Sequence, residues 1–262
     1  MKPKSMWPLF VAEFIGTALL LCVGLSFVIL NWGEGSIVAK WIPSTNTRKL
    51  LTGFLFGSTG CLITLSPVGK ISGAHINPAM SFAFWLRGKM KTTALIGYIV
   101  AQMTGAVVGS LPLLLWRKQG SSVQYGITLP KDGNVHAAFI GELLTTSALI
   151  IVVFVFAGSK RLRNYTPFTI PFLYCFMVWA ETSYSGCSTN PARSFGPAFI
   201  SYYFHFYWIY VVAPLLASMI VSLSFRACRL HELLHLKAAR LSYHNQPTHE
   251  SIKSGGLMPD KK

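Results

Sequence analysis

Acidic residues are scarce in this chain: 8 Asp and Glu in 262 residues, with charged residues of both signs making up only 12%. A soluble domain carries about a quarter charged residues, so a water-exposed globule is excluded. The patterns behind most enzymatic chemistry are also missing. There is no Gly-rich phosphate loop, no His/Cys cluster at metal-ligand spacing and no nucleophile elbow, so no enzyme, cofactor or metal is expected. The five cysteines (Cys22, Cys61, Cys175, Cys187 and Cys228) are odd in number and scattered through apolar segments, which excludes a disulfide framework. No cleaved leader is expected either, because the first apolar run is too long and no A-x-A-like site follows it.

What the chain does hold is apolar length. Hydrophobic residues reach 52%. Runs close to the roughly 20 residues that a helix needs to cross a bilayer fall at 8–30, 50–68, 94–116, 135–157, 166–184 and 206–228. An all-α membrane protein with six transmembrane helices is therefore predicted. The second and fifth runs are short and interrupted by Gly, Ser and Thr, so their ends are soft. The net charge of +15 would suit nucleic acid, but its placement points to topology. With both termini on one side, that side holds Lys2, Lys4, Lys70, Arg87, Lys89, Lys91, Lys160, Arg161, Arg163 and every basic residue of the tail. The other side holds Lys40, Arg48, Lys49, Arg117, Lys118 and Lys131. The bias makes both termini cytoplasmic and makes anionic membrane lipid, not nucleic acid, the partner of the basic side. A plasma membrane is expected, or the inner membrane if the source is bacterial.

Asn-Pro-Ala occurs twice, at Asn77-Pro78-Ala79 and Asn190-Pro191-Ala192. Asn caps a helix through its side-chain oxygen, Pro suits the first helical position, and small Ala lets another backbone approach. One copy means a capped helix. Two copies in a membrane chain predict two half-helices meeting tip to tip at mid-membrane. The order span, loop, span, Asn-Pro-Ala segment, span is followed twice, with Glu13 early in the first span and Glu142 early in the fourth. This divides the chain into a first repeat (1–116), a linker (117–134), a second repeat (135–228) and a cytoplasmic tail (229–262). Three spans per half turn the second repeat upside down, an arrangement in which solutes meet broken helices at the midplane. Gly53-x-x-x-Gly57 and Gly105-x-x-x-Gly109 allow close helix crossings. Between Arg226 and Tyr243, leucines among basic residues suit an interfacial helix.

The segments Ser72-Gly73-Ala74-His75-Ile76-Asn77-Pro78-Ala79 and Gly186-Cys187-Ser188-Thr189-Asn190-Pro191-Ala192-Arg193-Ser194-Phe195-Gly196-Pro197 resemble the aquaporin and glycerol-facilitator family, the major intrinsic proteins. The resemblance covers about residues 5–228. It implies a right-handed six-helix bundle with two re-entrant half-helices, one pore per protomer and a homotetramer. By the same resemblance, Glu13, Glu142 and Gln102 brace the re-entrant loops, Glu13 near His75. Arg193, one turn into the second half-helix, stands at the outer mouth beside Val178, Cys187 and a residue of the second span. About twenty residues before Asn77 that span offers Phe56 or Gly57. By the family pattern Phe56 is the aromatic neighbour of Arg193, with Phe54 as the alternative register. A structural ion pair with Glu181 or a loop is the other reading of Arg193. Glu181 itself either shapes the vestibule or is solvated there.

The physics of such a waist follows from its parts. Two half-helix N-termini carry partial positive charge and face each other where water is scarce. Asn77 and Asn190 offer amide donors to a passing oxygen. The carbonyls of Gly73, Ala74, His75, Gly186, Cys187 and Ser188 offer acceptors, since irregular backbone at this depth is tolerated only where it lines a cavity. Oriented donors and a positive barrier pass neutral molecules and stop protons, which is how aquaporin-type selectivity is generally explained. On solute choice the resemblance is divided. Ser194, Ala198 and Tyr210 are of the water-channel type, whereas Val178 in place of His and Val211 in place of Trp depart from it. Water conduction is expected, with glycerol, ammonia, urea or hydrogen peroxide as the alternative solutes. A secondary transporter and a non-conducting adhesion protein of the same fold are the rival classes.

Overall fold

The computed structural model describes residues 5–227, and the regular elements among them are all helical. Eight helices position the site: α1 (Trp7–Trp32), α2 (Thr45–Leu65), α3 (Pro78–Leu86), α4 (Thr92–Ser110), α5 (Val135–Gly158), α6 (Thr166–Glu181), α7 (Pro191–Ile200) and α8 (Ile209–Ala227). Local chemistry sets several ends. Ser44 caps α2 by accepting the Thr47 N–H, and Asn134 caps α5 by accepting that of Ala137. α4 passes into a tighter 3-10 stretch at Leu111–Trp116, where Pro112 has no N–H to donate. The third apolar run therefore leaves α-helical geometry before its predicted end at 116, and α6 stops at Glu181 instead of 184. The interfacial helix expected from Arg226 to Tyr243 lies, beyond Ala227, outside the described residues.

Helices α1, α5 and α8, and α4 with its continuation to Ser121, are long and apolar enough to cross a membrane. By the same measure α2 and α6 are weaker. The first begins with polar Thr45-Asn46-Thr47-Arg48-Lys49, and the second has 16 residues. The buried face of α2 carries Thr and Gly, and that of α6 carries Thr, Pro and Tyr, because the two helices turn toward the interior and cross each other. Half-helices α3 and α7, of 9 and 10 residues, rise by about 1.5 Å per residue, roughly half the ~30 Å hydrocarbon thickness.

The packing repeats across the two halves. α1 lies on α4 and α5 on α8, whereas α3 leans on α8 and α7 on α4. Each half-helix is thus held by the last span of the other half. α2 and α6 cross between the halves, and glycine brings them together. A Cβ on Gly53 would collide with the Tyr174 carbonyl oxygen, and one on Gly57 would stand 2.7 Å from Pro171 Cα. Gly105 and Gly109 press in the same way on the Phe14 and Ala18 carbonyls of α1. On the outside, Phe168, Phe172, Phe176 and Trp179 run exposed along α6. Such a stripe suits lipid or a neighbouring protomer better than water.

Overpacking the α2–α6 crossing tests its weight. Gly53→Val is expected to destabilise the bundle by about 1–3 kcal/mol, read as a lower melting temperature of the detergent-solubilised protein. A melting temperature equal to the parent's would show that this crossing does not hold the halves together.

Candidate functional site

The residues leading into the two Asn-Pro-Ala copies follow one backbone path. In Ser72-Gly73-Ala74-His75-Ile76-Asn77, Gly73, Ala74 and Ile76 have φ of 92°, 48° and 41°. In Ser185-Gly186-Cys187-Ser188-Thr189-Asn190, Gly186, Cys187 and Thr189 have φ of 90°, 55° and 56°. Glycine accepts left-handed backbone freely, but β-branched Ile76 and Thr189 are strained in it.

No helical ladder satisfies these loops, so side chains on the spans do. Glu13 of α1 accepts the His75 and Ile76 N–H groups at 2.9 and 2.7 Å, and Gln102 Nε2 of α4 donates to it at 2.7 Å. Glu142 of α5 accepts the Ser188 and Thr189 N–H groups at 2.6 and 2.7 Å and the Ser185 hydroxyl at 2.7 Å. Both carboxyl groups are fully buried. Every one of these contacts comes from a donor, which suits an acceptor-only carboxylate. Tyr98 of α4 donates to the Ser72 carbonyl at 2.7 Å, and Tyr210 of α8 donates to the Ser185 carbonyl at 2.8 Å.

The asparagines then close the waist. Asn77 Oδ1 accepts the Ala79 N–H at 2.9 Å, and Asn190 Oδ1 accepts those of Ala192 and Arg193 at 3.0 and 3.3 Å. Their amide nitrogens reach across to the opposite loop. Asn77 Nδ2 donates to the Thr189 carbonyl at 2.9 Å, and Asn190 Nδ2 to the Ile76 carbonyl at 2.8 Å. A carboxamide carries two N–H groups, so each asparagine retains one for a solute. Pro78 and Pro191 open the half-helices, and Ala79 and Ala192 are wholly buried behind them.

Two cavities adjoin this waist. One of about 80 Å³ is lined by Ala74, His75, Ile76, Asn77, Asn190 and apolar neighbours that include Met80, which is room for several waters. The other, of about 320 Å³, is lined by Phe56, Val178, Gly186, Cys187, Arg193 and Lys49, among others. No acidic residue lines it among the described residues. Arg193 is buried there, with Nη1 donating to the Gly126 carbonyl at 2.6 Å and Cζ 5.8 Å from the Phe56 ring centre. Lys49 donates to the Ser183 hydroxyl.

Several expected residues stand apart from these cavities. Gly73 and Ser188 line neither, and the Ser188 carbonyl accepts the Thr189 hydroxyl at 2.7 Å. Phe54 is exposed against Phe172, away from Arg193, while Gly57 lines the smaller cavity. Glu181 is neither solvated nor a wall of the vestibule. It is 6% exposed, lies against Gly141 where a Cβ would collide with it, and is not the partner of Arg193. Three participants escape the reading of the sequence. The Ile76 and Thr189 carbonyls receive the asparagine amides, although their signal was simply adjacency to Asn. Tyr174 faces both cavities, and its signal was its place one helical turn before Val178.

Residues 1–225 match the family described as Major intrinsic protein. Aquaporin-8 of Mus musculus is 32% identical over 223 residues, covering 82% of this chain and 80% of its own length. Glycerol uptake facilitator protein-like 6 of Lactiplantibacillus plantarum is 29% identical over 214 residues, covering 78% and 90%. Among solved structures, the aquaglyceroporin from Plasmodium falciparum shares the fold, with a TM-score of 0.68 at 22% identity, covering 87% of this chain and 100% of that one.

The carboxylate brace can be tested directly. Glu142→Gln presents an NH₂ group to a cluster of donors and leaves a loop N–H without its acceptor, at a cost of about 1–3 kcal/mol. Faster hydrogen exchange at the Ser188 and Thr189 amides is expected. Exchange unchanged at both would show that Glu142 does not hold the loop.

Proposed function

The chain belongs to the major intrinsic protein family, whose members are channels and not enzymes, and on that premise we propose that it conducts water passively and excludes protons and other ions. The observation that carries this reading is the waist. Two helix N-termini meet at the smaller cavity, which both asparagines line, and each contributes an asparagine amide whose second N–H is free for a passing oxygen. A hydronium or metal ion meets two positive helix ends there with little water to screen them. A water molecule can exchange its hydrogen bonds for those of Asn77 and Asn190. With paired donors on one side of its path, it cannot hand a proton onward in a continuous chain.

In this reading the larger cavity is the outer vestibule, and Phe56, Val178, Cys187 and Arg193 form the filter. The Arg193 guanidinium stays protonated, and Lys49 adds a second positive charge with no carboxylate in the cavity wall to neutralise either. Cations are turned back there before reaching the waist. The carbonyls of Ala74, His75, Gly186 and Cys187 serve as the acceptors along the path, with Gly73 and Ser188 set behind them. The protein sits in the plasma membrane, or the inner membrane of a bacterium, with both termini cytoplasmic. It assembles as a homotetramer with a pore in each protomer. A carrier mechanism is disfavoured because Glu13 and Glu142, the carboxyl groups nearest the waist, are committed to loop N–H groups and are not open to a coupling ion.

Val178 favours a second reading. A small aliphatic wall in place of His removes a donor and widens the filter, which suits glycerol, ammonia, urea or hydrogen peroxide beside water.

Stopped-flow light scattering on proteoliposomes separates these readings. Under a sucrose gradient the vesicles are expected to shrink several-fold faster than empty lipid, with no proton current. Shrinkage at the rate of empty lipid, or a proton current, would end the channel reading. Val178→His is expected to leave glycerol entry no faster than before, and faster entry would remove Val178 from the filter. Mercurial labelling of Cys187 should block water flow, and full labelling with undiminished flow would place that thiol off the path.

A further inference from the structure

The two cavities meet at one place. Phe56 and Tyr174 line both, and no other residue does so among those described. Their ring centroids are 5.6 Å apart at an interplanar angle of 43°, which is contact distance for aromatic rings. The boundary between vestibule and waist is therefore flanked by these two side chains.

Neither ring has room to withdraw. Phe56 is backed by Gly24 of α1, where a Cβ would stand 2.8 Å from the ring. The backbone at Tyr174 is pressed against Gly53 of α2, so α6 cannot approach or turn without a clash. The Tyr174 hydroxyl lies 2.7 Å from Thr189 Oγ1. Because the Thr189 hydroxyl donates to the Ser188 carbonyl, the proton between them comes from Tyr174. Thr189 is itself fixed three ways: its N–H to Glu142, its carbonyl to Asn77, and its hydroxyl to Ser188. The tyrosine ring is thus moored to the most constrained residue of the second loop.

We propose that Tyr174, set against Phe56, is a second barrier in series with the Arg193 constriction and is the residue that sets the size limit of the channel. The proposal rests on the channel reading and resolves its open point. Val178 leaves the first constriction wide, and one helical turn further in Tyr174 narrows the path again to the width of a water file. A solute of glycerol's size clears Val178 and is stopped at the ring pair. The phenol also offers its oxygen beside the path, so a water passing the apolar Phe56 face keeps one polar neighbour.

The test uses the full-length protein in proteoliposomes, with water and glycerol fluxes normalised to the amount of protein incorporated. Tyr174→Val is expected to raise water permeability by roughly threefold or more and to admit glycerol, as widening a constriction should. Tyr174→Leu provides a second truncation if the valine variant fails to fold, judged by a monodisperse elution profile and helical circular dichroism. Tyr174→Phe keeps the ring and loses the tether, and is expected to keep glycerol out. A parent channel that already passes glycerol as fast as the truncated variants would overturn the proposal, as would truncated variants with parental rates for both solutes. Glycerol entry through the Phe variant equal to that through the Val variant would also overturn it. In each of those cases water conduction by the parent leaves the channel reading intact. Absence of water flux in the parent and in every variant sinks both.

Discussion

Two carboxyl groups buried among apolar helices and two loops whose backbone N–H groups have no helical partners are each untenable alone. Here they satisfy each other. An unpaired polar group in an apolar interior costs several kcal/mol, and Ala74, Ile76, Cys187 and Thr189 each hold left-handed backbone at about 1–3 kcal/mol apiece. Hydrogen bonds to a charged acceptor return about 1.5–3 kcal/mol each. Glu13 and Glu142 accept two loop N–H groups apiece, with Gln102 and Ser185 adding a further donor to each. The loops are thereby held in a path they would not otherwise adopt, and that path is what aims α3 and α7 at one another. The asparagine exchange across the waist depends on this arrangement.

The frame is two-fold and the chemistry set into it is not. Glu13 and Glu142, Tyr98 and Tyr210, Ser72 and Ser185, Asn77 and Asn190 occupy matching places and make matching bonds. One residue past each Asn-Pro-Ala the match ends, with Met80 on one side and Arg193 on the other. Met80 lines the smaller cavity and Arg193 the larger. Duplicating a structural brace yields two half-helices that meet. Placing the guanidinium on only one of them makes the cavities unequal in charge: Arg193 and Lys49 line the larger, and no lysine or arginine lines the smaller among the described residues. Ser81 and Ser194, the next pair, have also diverged in partners: the first meets His75 and Gln102, the second Ser188 and Thr128.

Glycine at the crossing of α2 and α6 sets how closely the two helices approach. Gly53 and Gly57 let the two backbones touch, and that contact brings Phe56 and Tyr174 face to face. The same rigid crossing denies both rings an easy retreat. Pro171, within α6, removes one helical hydrogen bond on the wall of the smaller cavity, where Pro167 and Ile170 lie.

Much of this protein was legible in its residues because the controlling forces are local. A run of about 20 apolar residues crosses a bilayer whatever surrounds it, and Asn followed by Pro caps a helix by chemistry confined to three residues. The spans and the half-helices follow from those rules. Which side of a helix faces the path does not, because lipid and protein interior are equally apolar and hydropathy cannot tell one from the other. Phe54 and Phe56 are two residues apart and both aromatic, yet one is exposed and the other walls both cavities. Glu181 was expected to shape the vestibule or be solvated there and is buried against Gly141, and Tyr174 carried no motif that marked it. Those assignments were made by how α2 and α6 rotate when the α2 glycines meet the α6 backbone, a contact between residues more than a hundred positions apart in the chain.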